Sequence, residues 1–151
     1  MLKKKNKLVL TIAVVVLIAI AGSCSKLCNS GYEGSRCNEL TTTKFIGRWS
    51  AADTPGNLAY VDTISQGPVI EDITLSASFA GYYFHHAINA SVAGTTITIP
   101  YQQPDSDTAY VQGTGTISDN NDLISFTYQI ITGADTPQHI TNYTGTWSKQ
   151  N

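Results

Sequence analysis

Turn-forming residues recur along residues 45–151, and their spacing restricts the fold more than any other feature of the chain. Gly, Pro, Asn and Asp cluster at six places, where they favour tight turns. All five prolines fall in or beside these clusters, where a missing backbone N–H does no harm. The clusters are Thr54-Pro55-Gly56, Gln66-Gly67-Pro68, Ala93-Gly94, Pro100 to Asp107, Asp119 to Asp122 and Gly133 to Pro137. Turns at intervals of roughly 8 to 12 residues indicate short strands in a sandwich or a barrel.

The segments between the turns have the composition of β-strands. They are rich in Thr, Ser, Ile, Val, Tyr and Gly, and poor in Leu, Lys, Glu and Met. We therefore predict eight strands, at Phe45–Ala52, Leu58–Ser65, Val69–Ser78, Tyr82–Val92, Thr95–Ile99, Thr108–Ser118, Leu123–Thr132 and Gln138–Ser148.

Alternation within these segments favours a closed barrel. Apolar side chains at every second position place one face of each strand in a core. Two glycines on such a face, Gly113 and Gly115, leave room for neighbouring aromatic rings and let the strand coil sharply, as barrel closure requires. Short connections favour antiparallel neighbours. The predicted fold is an all-β, eight-stranded antiparallel up-and-down barrel over residues 45–151, and a β-sandwich is the alternative.

The N-terminus has the pattern of an export signal. Residues 1–7 carry four lysines and no acid, and an apolar stretch from Leu8 to Ala21 follows. A bilayer-spanning helix needs about 20 apolar residues, so this shorter stretch predicts a signal peptide over residues 1–23. An uncleaved membrane anchor is the alternative.

The residues Ala21-Gly22-Ser23-Cys24 resemble the bacterial lipobox. This resemblance implies that Cys24 is lipidated and becomes the new N-terminus, so that the membrane is a partner of the protein through a lipid anchor. Ordinary cleavage after Ala21 is the alternative. Under the common rule, an acidic residue directly after the lipidated cysteine retains a lipoprotein in the inner membrane. This chain has Ser25 there, which favours the outer membrane, on its periplasmic or its external face.

Residues 28–37 read C-x-x-G-Y-x-G-x-x-C and resemble the C-terminal loop of EGF-like modules. The resemblance implies a disulfide between Cys28 and Cys37. A complete EGF-like module has six cysteines, so this is a fragment that makes residues 24–44 a stapled spacer. Two cysteines without a nearby histidine do not supply four zinc ligands.

Several short motifs resemble one family of barrels. Gly47-Arg48-Trp49 resembles the G-x-W of the first lipocalin strand, and Thr95 to Pro100, Gly113 to Ser118 and Tyr143 to Trp147 look like parts of the short lipocalin-like (calycin-like) barrels of Gram-negative lipoproteins. In that group a lipobox, a cysteine-rich stub and a small barrel follow one another, and the resemblance implies the same order in this chain. Trp49 and Trp147 are then expected to lie in the core.

A few polar and aromatic side chains are candidates for function. We expect Asp62 and His86 to be polar groups inside the barrel, with Arg48 or a tyrosine hydroxyl as the partner of Asp62. Exposure of Asp62 through a register shift is the alternative. Tyr82, Tyr83 and His85 form a candidate binding surface, unless the aromatic segment covers a barrel end.

Charge and motifs exclude several function classes. After removal of residues 1–23, five basic residues face eleven acidic ones, a net charge near −6, so nucleic acid is not an expected partner. The sequence contains no catalytic motif, and we predict no cofactor, no metal and no enzymatic activity. The predicted function is a membrane-anchored binding module for an envelope protein, a glycan or a small apolar ligand. The alternative is a structural envelope lipoprotein with a filled barrel.

Overall fold

A computed structural model describes residues 27–81, 84–105, 109–133 and 138–150. The predicted signal peptide and the predicted lipidation site Cys24 lie outside these residues. The described chain begins with a two-stranded hairpin, β1 (Tyr32–Glu33) and β2 (Glu39–Leu40), closed by the Cys28–Cys37 disulfide with 5.2 Å between the two Cα atoms. The predicted disulfide is therefore confirmed. No described helix is both long enough and apolar enough to cross a membrane.

The remaining strands form one closed antiparallel barrel, which confirms the predicted fold class. Each strand pairs with its neighbour in the chain, and the last strand closes the barrel against the first. The strands are β3 (Gly47–Thr54), β4 (Leu58–Gln66), β5 (Asp72–Leu75), β6 (Ile88–Ala93), β7 (Thr96–Gln102), β8 (Ala109–Ile117), β9 (Leu123–Thr132) and β10 (His139–Lys149).

The barrel interior is packed with apolar and aromatic side chains. Trp49, Trp147 and Phe79 have no exposed surface, and Trp147 packs edge-on or tilted against neighbouring rings. Gly113 and Gly115 pair directly with Tyr128 and Phe126 across β8 and β9. A Cβ atom at position 115 would lie 2.7 Å from the Phe126 ring. These glycines therefore make the space that the aromatic rings occupy.

Two predicted strands are shorter than expected. The predictions Val69–Ser78 and Tyr82–Val92 are wrong at their adjoining ends, because the chain leaves the sheet between β5 and β6. Phe79–Gly81 forms a 3-10 turn in which Ala80 and Gly81 have φ values of 57° and 68°. The backbone N–H of Phe84 then donates to the carbonyl of Ala77 at 2.7 Å. This connection, residues 76–87, carries the buried Phe79 ring.

The two ends of the barrel differ in construction. The proximal end carries both termini of the barrel and the disulfide hairpin, which Lys44 ties down by contacting Glu33 at 2.5 Å. Lys149 donates to the carbonyl of Lys44 at 2.9 Å and lies over the Trp49 ring. At the distal end, β3 is followed by β4, β5 by β6, β7 by β8 and β9 by β10.

Candidate functional site

A buried carboxylate lies inside the distal half of the barrel. Alternation along β3 turns Trp49, Ala51 and Asp53 inward, and Asp53 is only 1% exposed. The hydroxyls of Tyr60 and Tyr128 both donate to Oδ2 of Asp53 at 2.6 Å. The indole N–H of Trp147 donates to Oδ1 at 3.2 Å. Three donors from β4, β9 and β10 thus converge on one carboxylate of β3.

Gly145 makes the space for this carboxylate. It pairs with Asp53 across β3 and β10, the two strands that close the barrel. A Cβ atom at position 145 would overlap Oδ1 of Asp53. No larger residue fits at position 145 while Asp53 keeps this position.

The two tyrosines of the cluster remain protonated hydrogen-bond donors over the whole ordinary pH range. Burial, the hydrogen bond to Asp53 and the charge of Asp53 raise the pKa of Tyr60 well above its usual value. Burial, the neighbouring Tyr60 and Asp53 do the same for the pKa of Tyr128. The cluster is therefore a satisfied anion site whose ligand is the protein's own side chain.

Asp62 is a second buried carboxylate, and its side chain points into the barrel as the alternation predicts. The prediction that Arg48 or a tyrosine hydroxyl is its partner is wrong. The backbone N–H of Ser76 donates to Oδ1 of Asp62 at 2.9 Å, and Arg48 is exposed on the outside of β3. Oδ2 is buried and has no partner among the described residues. Burial raises the pKa of Asp62 to about 6.

The prediction that His86 lies inside the barrel is wrong. Its side chain is 75% exposed, because residues 84–87 are not a strand and do not alternate. His86 Nδ1 lies 2.9 Å from Oδ1 of Asp105, and the backbone N–H groups of His85 and His86 donate to the same carboxylate at 2.7 and 3.0 Å. Asp105 therefore joins two connections at the distal end.

Asp105 is held as a carboxylate by these contacts. Burial alone would raise its pKa, but hydrogen bonds from the His85 N–H, the His86 imidazole and the His86 N–H hold the pKa below the usual carboxyl value. Within the described residues, neither imidazole is hydrogen-bonded to a hydroxyl or a thiol, and no cluster of His, Cys, Asp and Glu is suited to a metal ion. Asp105 and the two histidines thus join two distal connections.

Of the candidate binding surface, the structure describes only His85. Its side chain is 82% exposed at the distal end. Tyr82 and Tyr83 lie outside the described residues. Phe79 from the same aromatic segment is buried against Phe126, Tyr128 and Trp147, so this part of the segment covers the barrel end.

An open groove crosses the outside of β7 to β10. It has a volume of about 470 Å³, and its floor includes Thr98, Thr114, Thr127 and Asn142. A second groove of about 380 Å³ adjoins it and shares Thr127. We call the outward side chains of β7 to β10 the outer face.

Two ordered features line the main groove. Gln112 donates through Nε2 to Oε1 of Gln129 at 2.7 Å, and Gln129 donates in the same way to Oδ1 of Asn142 at 2.7 Å. At the rim, the rings of Tyr101 and Tyr110 stack with centroids 4.9 Å apart and an interplanar angle of 11°. Sequence reasoning missed this groove because its residues come together only through the register of four strands.

Comparison of the chain with protein-family models, curated proteins and solved structures gives no significant match.

Proposed function

We propose that the protein is a lipocalin-like envelope lipoprotein that acts as a non-enzymatic binding module and binds its partner on the outside of the barrel. The observation that carries this proposal is the contrast between a filled interior and an outer face on which an amide ladder and a stacked tyrosine pair border an open groove. The lipid on Cys24 and the outer-membrane location belong to the same proposal.

The filled interior argues against a small apolar ligand inside the barrel. Large side chains without exposed surface occupy the position where larger members of this barrel class hold a ligand. The interior polar group nearest the distal end, Asp53, already has three donors from the protein. A ligand would have to displace the Phe79 ring and break these hydrogen bonds.

The disulfide hairpin supports a tethered arrangement. Glu33 of the hairpin contacts Lys44, and Lys149 of β10 donates to the Lys44 carbonyl, so the barrel and the hairpin are joined by more than the chain connection. Cys24 precedes the first described residue by three positions. A lipid there would hold the proximal end towards the membrane and leave the outer face accessible to partners.

The rival function is a structural envelope lipoprotein that has no ligand, and the filled interior supports it equally. The outer groove distinguishes the two. Cross-strand pairs stabilise any sheet, but the amide ladder and the stacked tyrosine pair lie together beside an open groove, and this combination favours the binding module.

Site-specific photocrosslinking in the native envelope tests the proposal. A photoreactive residue at Thr114, which lines the groove but lies outside the amide ladder, is expected to give a discrete adduct. The matched control is the same residue at Val61, which is 39% exposed on β4 and lies outside the groove. Equal labelling from both positions, or no adduct from position 114, would overturn the binding-module proposal in favour of the structural one.

The anchor has its own test. Cys24→Ser is expected to abolish metabolic labelling with fatty acid and to release the protein from the membrane fraction. Retained labelling in this variant would show that Cys24 is not the lipidated residue. The matched control is Ser23→Ala, which keeps a small residue before Cys24 and should leave labelling intact.

A further inference from the structure

We propose that the outer face binds a neutral saccharide, with Tyr101 as the stacking platform and the Gln112–Gln129–Asn142 ladder as the hydrogen-bonding edge. This inference rests on the proposed function and names the ligand class of the groove.

The outer face has no charge across four strands. β7, β8 and β9 contain no Lys, Arg, Asp or Glu, and the only cationic candidates of β10, His139 and Lys149, are its first and last residues. A phosphate, a carboxylate or a nucleic acid would find no counter-ion here, and its desolvation would be uncompensated. The face therefore favours an uncharged ligand, although the chain as a whole has a negative net charge.

The polar side chains of this face are arranged in rows by the strand register. Each row runs across neighbouring strands, and successive rows lie two residues apart along each strand. The rows are Thr98, Thr114, Thr127 and Thr144; Thr96, Thr116, Ser125 and Thr146; and Gln112, Gln129 and Asn142. Neighbouring strands are about 4.8 Å apart, so each row repeats a hydroxyl or an amide at that interval.

Hydroxyls and amides both donate and accept hydrogen bonds, as the vicinal hydroxyls of a sugar also do. The ladder uses the amide nitrogen of Gln112 and the carbonyl oxygen of Asn142 internally. The amide oxygen of Gln112 and the amide nitrogen of Asn142 remain outside these two bonds. The ladder thus holds its central residue, Gln129, in place and leaves an acceptor and a donor group at its ends for a ligand.

The tyrosine pair supplies the apolar contact that sugar recognition needs. The side of a pyranose ring that carries C–H groups packs well on the negative face of an aromatic ring. Tyr101 is 54% exposed, and Tyr110 stacks on it at 4.9 Å. Because Tyr110 supports the ring before the ligand arrives, little side-chain freedom is lost on binding.

The open shape of the groove favours an internal stretch of an oligosaccharide over a single sugar. The main groove continues into the second groove at Thr127, so that a chain can lie along both. A folded protein partner is less well matched, since protein interfaces have a largely apolar centre and this face has hydroxyl rows at its centre.

Calorimetric titration of the full-length lipoprotein, in a detergent without a sugar headgroup, tests the inference. The probes are neutral β-linked and α-linked glucan, xylan and mannan oligosaccharides, with polygalacturonate as the charged comparison. At least one neutral probe is expected to bind, and its affinity should be unchanged between low and high salt. Preference for polygalacturonate, or a strong salt dependence, would overturn the inference.

Variants locate the site. Tyr101→Ala and Gln129→Ala are each expected to weaken binding about tenfold or more. The matched controls are Tyr32→Ala, an exposed tyrosine of the disulfide hairpin, and Gln150→Ala, an exposed glutamine at the C-terminus. Equal losses in the site variants and the controls would overturn the inference, and thermal melting of each variant separates unfolding from lost contacts.

Failure of this inference and failure of the proposed function give different results. If no saccharide binds but the photoreactive residue at position 114 still gives an adduct, the saccharide inference is overturned and the binding module is kept. Loss of both overturns both.

Discussion

The two buried carboxylates, Asp53 and Asp62, point into the same barrel from neighbouring strands but have opposite hydrogen-bonding environments. Asp53 accepts from two hydroxyls and one indole, whereas Asp62 accepts from one backbone N–H and has an oxygen without a partner among the described residues. A buried ionised group stabilises a fold only when its hydrogen bonds are complete. Asp53 therefore holds strands together and stabilises the fold, whereas burial of Asp62 lowers the stability of the fold when its side chain is ionised.

Asp53 joins the strands at which the barrel closes. Its partners come from β4, β9 and β10, and β10 pairs with β3 to complete the ring of strands. The long-range hydrogen bond that Asp62 accepts among the described residues comes from Ser76, directly after β5. Loss of Asp53 therefore affects distant parts of the chain together, and loss of Asp62 affects one connection.

The largest expected effect is that of Asp53→Ala. It removes the acceptor of three donors, of which Tyr128 and Trp147 are buried, and we expect the free energy of unfolding to fall by about 3 to 5 kcal/mol in urea titrations. Asp53→Asn keeps one acceptor oxygen, so its free energy of unfolding should lie between those of the wild type and the alanine variant. Full stability in Asp53→Ala would show that the three hydrogen bonds do not matter for closure.

Gly145→Ala tests the same cluster from the opposite strand. The new Cβ atom would overlap Oδ1 of Asp53, so we expect a loss of about 2 to 3 kcal/mol in the free energy of unfolding. In the Asp53→Ala background the clash is gone, and the same change should cost much less. Additive losses in the double variant would contradict the contact between Gly145 and Asp53 as the source of the loss.

Asp62→Asn should have the smallest effect and the opposite sign. Burial raises the folded-state pKa from 3.8 to about 6, so the folded protein binds more protons than the unfolded chain between these values. The stabilising contribution of protonated Asp62 to the free energy of unfolding is present below about pH 4 and is lost as the pH rises through about 6. We expect Asp62→Asn to raise the free energy of unfolding at pH 7.5 by about 1 to 3 kcal/mol and to change it little at pH 4.

Urea titrations of both proteins at pH 4, 6 and 7.5 measure this difference. The wild-type curve alone does not isolate Asp62, because Asp105, with its lowered pKa, contributes a slope of the opposite sign. The difference between the wild type and Asp62→Asn removes the shared contributions. A difference independent of pH would contradict the raised pKa of Asp62.

Local sequence signals predicted the strands wherever turn chemistry and alternation agreed. β9 matches its predicted bounds, Leu123–Thr132, and the inward glycines of β8 face aromatic rings as expected. The prediction failed at residues 76–87, where Ala80 adopts a left-handed conformation that favours glycine and gives no sequence signal. Burial of Phe79 in the core accompanies this turn, and His86 is exposed as a result.

Asp53 was missed for a related reason. The predicted first strand ended at Ala52, so Asp53 fell between this strand and the turn at Thr54, although it shares the parity of Trp49. Extending the alternation by one step would have placed it inside. The space that admits its carboxylate, at Gly145, lies on a strand more than ninety residues later and gave no local indication.

By itself, the sequence determined the class of fold, because turn residues and alternation act over a few neighbouring residues. The resemblance of residues 28–37 to an EGF-like loop implied the disulfide, which the structure contains. Only the tertiary structure decided which polar groups meet. The Asp53 cluster depends on barrel closure, and the rows of the outer face depend on strand register, and both are set by contacts between residues far apart in the chain.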